Sequence, residues 1–181
     1  MIGDSFSAEF DKASNNEIIT DDWYFSNGNF KGKSKTYSNL IADRNNMTIQ
    51  NMTRGGKTLA TPADGSSVNT FSFNDYQNID NDVDYITIML GINDGHKENA
   101  VEGTIPFGEA NDTDNTTFCG TWNVVLPYLM EYYPNTRIGI IVSNGLDDIK
   151  YRNATIAAAK KYGIPYIDLN GDERTQAMHR A

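Results

Sequence analysis

Residues 85–94 read Tyr85-Ile86-Thr87-Ile88-Met89-Leu90-Gly91-Ile92-Asn93-Asp94. A near-continuous apolar run stops at a glycine and gives way to an asparagine and an aspartate. A run of this length and uniformity suits a parallel strand covered on both faces. Its abrupt end places a carboxamide and a carboxylate at the carboxyl end of that strand, where open α/β sheets meet their ligands.

Working outward, residues 137–142 and 165–169 repeat the pattern, and residues 47–51 form a weaker fourth strand. Helical spacing lies between them. Residues 35–45 place Tyr37, Leu40, Ile41 and Arg44 near one face. Residues 116–133 place Trp122, Val125, Leu126, Leu129 and Tyr132 at helical spacing, with Pro127 inside to bend the helix and Pro134 to end it. Residues 146–162 are rich in alanine and stop at Gly163. Strands alternating with helices specify an α/β domain, a three-layer α/β/α sandwich on a parallel sheet of about five strands, spanning 1–181. Two polar stretches fit neither helix nor strand. One is 11–33, carrying Trp23, Tyr24, Phe25 and Phe30; the other is 95–115, carrying Phe107. Loops this long in a domain are often functional; both are read either as lining a substrate pocket or as surface decoration.

The charge balance excludes some classes of partner. With 24 acidic and 15 basic side chains the formal charge is −9, which disfavours nucleic acid and anionic membrane. No apolar run reaches transmembrane length and no signal-peptide pattern opens the chain, so a soluble protein is expected. Cys119 is the single cysteine; it has no intrachain partner and reads as a small core residue. The acidic runs Asp80, Asp82, Asp84 and Asp112, Asp114 lack the glycine and closing glutamate of a calcium loop, and "RGGK" lacks the spacing of a phosphate loop. Neither a cofactor nor a metal is expected.

Three strand ends carry the chemistry. Gly3-Asp4-Ser5 follows the first strand, Asn51-Met52-Thr53-Arg54-Gly55-Gly56-Lys57-Thr58 the second, and Gly91-Ile92-Asn93-Asp94 the third. In a parallel sheet these ends share one edge. A serine hydroxyl, a backbone N–H at a glycine and a carboxamide N–H are what acyl transfer requires: a nucleophile, and donors for the charge of a tetrahedral intermediate. The three blocks, in this order, resemble the SGNH/GDSL hydrolase superfamily of esterases, lipases, thioesterases and carbohydrate deacetylases, with "YGIPYIDL" as its last strand. The resemblance implies a flavodoxin-like sandwich. It implies Ser5 as nucleophile, with its own N–H, Gly56 and Asn93 forming the oxyanion hole. Asp4 and Asp94 fall at positions that shape the turns. Together with His96 and Trp23 they mark the expected substrate-binding neighbourhood, for an acyl or acetyl ester of a carbohydrate or other small substrate.

The fourth block of that superfamily, Asp-x-x-His, is missing. His179 in "GDERTQAMHRA" has Gln176 where the aspartate belongs, and the other histidine, His96, sits beside the third block. His179 is therefore the candidate base of last resort, because a serine without a base is a poor nucleophile. Only Met1 and Ile2 precede Gly3, too few apolar residues to build a central strand. Both ends suggest a fragment of a longer hydrolase, and a weak or inactive esterase as it stands. A relative on the same fold that binds without turnover is the alternative, and a phosphate or nucleotide binder a more distant one.

Overall fold

The structure, a computed structural model, describes residues 1–4, 37–65, 70–72, 75–100, 103–143, 146 and 148–171, and the strand backbone at 11–12 and 18–19. The chain runs through β1 (Ile2–Gly3), an antiparallel pair β2 (Asp11–Lys12) and β3 (Ile18–Ile19), helix α1 (Tyr37–Asn45) and β4 (Met52–Thr53). A 3₁₀ turn at Asp75–Gln77 leads to β5 (Tyr85–Met89), α2 (Ile92–Lys97), α3 (Phe118–Tyr132), β6 (Arg137–Val142), α4 (Ile149–Lys161) and β7 (Tyr166–Asp168).

Five strands form one parallel sheet in the order β4-β1-β5-β6-β7. This is the flavodoxin-like order, which reverses direction between β1 and β5 and opens a crevice at their carboxyl ends. Register is set by branched side chains. Ile2 lies opposite both Met52 and Ile88, and Ile88 lies opposite Ile140. Right-handed crossovers put α3 and α4, which pack together, on one face, and put α1, which leads in the opposite direction, on the other. The core lies beneath α3 and α4. Ile86, Ile88 and Ile140 from the sheet meet Trp122, Val125, Leu126 and Leu129 from α3, and Tyr151 and Ala159 from α4.

Local chemistry explains the ends of the helices. Thr117 caps α3 by accepting from the Gly120 N–H at 3.0 Å, and the helix stops at Tyr132, two residues before Pro134. At the end of α4, Gly163 adopts φ 66°. Its N–H reaches the Lys160 carbonyl and that of Ile164 the Ala159 carbonyl, the Schellman arrangement.

Several expectations need correction. A central strand does form from the two residues before Asp4: the Met1 ammonium donates to the Gln50 carbonyl at 2.7 Å, Met52 N–H to Met1 O, and Arg54 N–H to Gly3 O. For the same reason β4 lies at 52–53 and not at 47–51, because β1 offers backbone partners only from Gln50 onward. Helix α1 buries Ser38 and Ala42 and leaves Leu40 and Ile41 exposed; small residues four apart let the helix approach closely. Tyr132 of α3 is 61% exposed, off the buried stripe. Tyr85 opens β5 at 47% exposed, so the coverage of that strand on both faces begins only further along. The stretch from residue 95 is not all loop, since α2 runs to Lys97, and 11–12 with 18–19 form a short ladder inside the first polar stretch.

Candidate active site

All five strands point the same way, so the ends of β1, β4 and β5 meet at one rim. After β4 the chain turns sharply. Gly56 has φ 71°, a conformation that glycine adopts without strain, and the Lys57 N–H closes the turn on the Arg54 carbonyl at 3.1 Å. After β5, Gly91 takes φ 121°, and a Cβ there would stand 3.2 Å from the Phe118 ring and 3.3 Å from Leu146. This strained position turns the backbone into α2, so that Asn93 and Asp94 face the β4 loop.

The two loops are joined by side chain to backbone. The Asn93 Nδ2 donates to the Lys57 carbonyl at 2.9 Å. The Asp94 carboxylate accepts from two consecutive amides, Leu59 N–H to Oδ2 and Ala60 N–H to Oδ1, each at 2.9 Å. Lys57, only 4% exposed, turns its ammonium to the Asp75 carboxylate. Gly56 and Asn93 are thus held side by side at the switch point of the sheet.

Asp94 and Asp4 both have 0% exposure. Burial pushes the Asp94 carboxyl up to about 7, with a further contribution from the Asp4 charge, against the pull of the Ala60 and Leu59 N–H groups. Neither aspartate presents its carboxylate at the surface, so the substrate contacts expected of them are replaced by contacts within the fold. His96 is exposed, three residues along α2 from Asn93 and so on the same helix face. Among the described residues no carboxylate lies within ion-pair distance of it. Phe107, from the second polar stretch, is half-buried, stacked on Phe118 at 6.1 Å and edge-on to Tyr151 at 5.0 Å. The Asp112 carboxylate accepts from the Glu109 N–H, and that of Asp114 from the Thr116 N–H. These are turns closed by their own loop, and no cluster of three or more metal-ligating side chains occurs among the described residues. Cys119 is buried, its thiol pushed up to about 11 mainly by desolvation. No helix among the described residues is long and apolar enough to cross a membrane. Ser5, Trp23 and His179 lie outside the described residues.

A family profile described as GDSL-like lipase/acylhydrolase matches residues 1–179. The chain belongs to this family. Solved structures share its fold. A GDSL-like lipase from Bacteroides uniformis is 21% identical with a TM-score of 0.68, over 92% of this chain and 80% of the other. One from Bacteroides ovatus is 20% identical with a TM-score of 0.63, over 94% and 83%. A family two carbohydrate esterase from Cellvibrio japonicus is 17% identical with a TM-score of 0.56, over 99% of this chain and 57% of that one. No curated protein matches the sequence.

Within this GDSL fold, sequence reasoning picked out Gly56, Asn93 and Asp94 but missed Lys57 and Asp75. A lysine directly after a glycine pair was a visible signal for the first. Nothing marked the second, which stands 18 residues away on a separate turn.

Proposed function

We propose that this protein is a serine ester hydrolase of the SGNH/GDSL type, acting on an acyl or acetyl ester of a carbohydrate or other small substrate. The observation that carries the reading is the Asn93 amide fixed at 2.9 Å on the Lys57 carbonyl, beside the Gly56 turn, at the rim formed by the carboxyl ends of β1, β4 and β5. One amide proton of Asn93 is taken by that carbonyl, which aims the other. With the N–H groups of Gly56 and Ser5 it makes a three-donor hole for the oxyanion.

In the reaction the Ser5 hydroxyl oxygen bonds to the ester carbonyl carbon, and the hydroxyl proton passes to a base. The tetrahedral oxyanion collapses, the carbon–alkoxy bond breaks, and the alcohol leaves with the proton. Water then repeats the sequence on the acyl-serine and regenerates Ser5. His179 is the candidate base, and with Gln176 where the family's aspartate belongs, weak turnover or none is expected. The carbohydrate assignment draws on the fold shared with the carbohydrate esterase and on the aromatic content of 11–33.

Hydrolysis of p-nitrophenyl acetate by the wild-type chain, Ser5→Ala, His179→Ala and His96→Ala tests this reading. Ser5→Ala is expected to remove the enzymatic rate and His179→Ala to lower it far more than His96→Ala. Equal rates for wild type and Ser5→Ala would replace the hydrolase by a binding module on the same fold.

A further inference from the structure

Lys57 is buried next to the proposed oxyanion hole, and its two ends do different things. Its backbone carbonyl receives the Asn93 amide at 2.9 Å, and its N–H closes the turn that Gly56 forms. Its side chain leaves that turn and pairs with Asp75. Asp75 is a firm anchor. The neighbouring Tyr76 ring is buried, edge-on to Tyr128 at 4.8 Å and to Phe71 at 6.1 Å. The Tyr76 N–H reaches the Phe71 carbonyl, and the Phe71 N–H reaches the Thr58 carbonyl. The ion pair therefore ties the glycine turn to a packed aromatic cluster on the α3 side of the sheet.

A turn with two consecutive glycines has no Cβ with which to pack itself in place. Its backbone would wander unless something outside it held it. The buried lysine supplies that hold. We propose that Lys57 is a positioning residue for the oxyanion hole: clamped on Asp75, it fixes both the carbonyl that orients the Asn93 amide and the peptide that follows Gly56. Lys57 does not touch the substrate; it acts through Gly56 and Asn93. The inference rests on the esterase reading above and adds a role for the lysine of the second sequence block and for an aspartate outside all three.

The test compares wild type, Lys57→Met, Asp75→Asn and the double variant in the full chain. Methionine keeps the apolar stem and removes the ammonium; Asp75, at 35% side-chain exposure, tolerates loss of its partner by hydration. Three readouts are taken: kcat and KM on p-nitrophenyl acetate, the ¹⁵N–¹H signals of the Asn93 side-chain amide, and Tm. The expected result is a kcat about tenfold to a hundredfold lower, the scale of a small misplacement of catalytic groups, with KM within about twofold and the Asn93 signals moved. Either single variant shows this, and the double variant loses no more, because both break one clamp. Wild-type kcat and wild-type Asn93 signals in Lys57→Met and Asp75→Asn overturn the proposal, even where Tm falls, since that describes a purely structural pair. Where Lys57→Met does not fold, Asp75→Asn decides. If the wild-type rate is independent of Ser5, the esterase reading falls, and the Asn93 signals alone decide whether the clamp exists.

Discussion

The Asp94 carboxyl makes the stability of this fold depend on pH in an unusual direction. Its pKa rises from 3.8 to about 7 in the folded state, chiefly because burial penalises the charge. The folded chain therefore holds the proton more tightly than the unfolded chain. Between about pH 4 and pH 7 the native state binds more protons, so stability falls as pH rises, and it levels off above about pH 7. About three units at 1.36 kcal/mol each give a total swing of roughly 4 kcal/mol, a large share of the 5–15 kcal/mol that holds a typical domain. Asp4, just after β1, is the titratable group whose charge is felt at Asp94, and the Asp94 charge in turn helps to push the Tyr151 phenol of α4 up. Asp114 and Asp168 act in the opposite sense, held low by the Thr116 hydrogen bonds and by Arg152; their contribution disappears only as pH falls below about 4. Asp94→Asn cancels their effect from the comparison. The asparagine does not titrate, and it leaves one of two buried N–H groups without an acceptor at a cost of about 1–3 kcal/mol. Urea unfolding of both proteins from pH 4 to pH 8 gives the difference directly. The advantage of wild type over Asp94→Asn is expected to shrink by several kcal/mol between pH 4 and pH 7 and then stay constant. A difference independent of pH, or one that widens as pH rises, refutes the assignment of a raised Asp94 carboxyl.

Two further outcomes follow from the geometry of the rim and the turns. Asn93→Ala removes the side-chain donor of the proposed hole and is expected to lower kcat by about 10²–10³-fold with little change in KM; a change confined to KM rejects its role in the transition state. Gly91→Ala and Gly163→Ala both place a Cβ at positive φ, but only the first also meets Phe118 and Leu146. Thermal denaturation is expected to show a loss of about 1 kcal/mol at Gly163, where nothing lies within 4 Å, and a clearly larger one at Gly91.

What the sequence reveals here depends on whether a segment sets its own structure. Residues 85–89 and 137–142 are apolar enough to demand burial on their own account, and both are strands at the places their composition indicates. Pro134 and Gly163 stop their helices through local covalent geometry, which is equally visible in the chain. The segment from 47 to 53 is different: its strand begins where β1 supplies partners, so its register is a property of two distant segments together. The face of α1 is set by the need for close approach, which favours Ser38 and Ala42 over the larger Leu40 and Ile41. The same division runs through the site. Gly56 and Asn93 are recognisable because parallel strands bring their ends to one rim. The pairing of Lys57 with Asp75 is not, because no periodicity connects a lysine in a glycine turn to an aspartate on a 3₁₀ turn.

That division has a physical consequence for how the rim is built. The proposed oxyanion hole needs backbone N–H groups free of neighbouring Cβ atoms, and glycine provides them. Glycine also removes the side chains with which a loop would otherwise pack. Apolar burial is then available only to the residues flanking the turn, and Leu59 and Ala60, both at 0% exposure, take it. The turn itself is held by polar and charged groups instead: the Asn93 amide on Lys57, the Asp94 carboxylate on the Leu59 and Ala60 amides, and the Lys57 ammonium on Asp75. Such contacts are directional in a way that apolar packing is not, and they fix orientation to tenths of an ångström. Burying Asp94 beside Asp4 has an electrostatic cost, visible in its raised pKa. A fold that sets a glycine-rich turn against a buried carboxylate trades stability for a fixed set of donors, which is the arrangement that stabilising an oxyanion calls for.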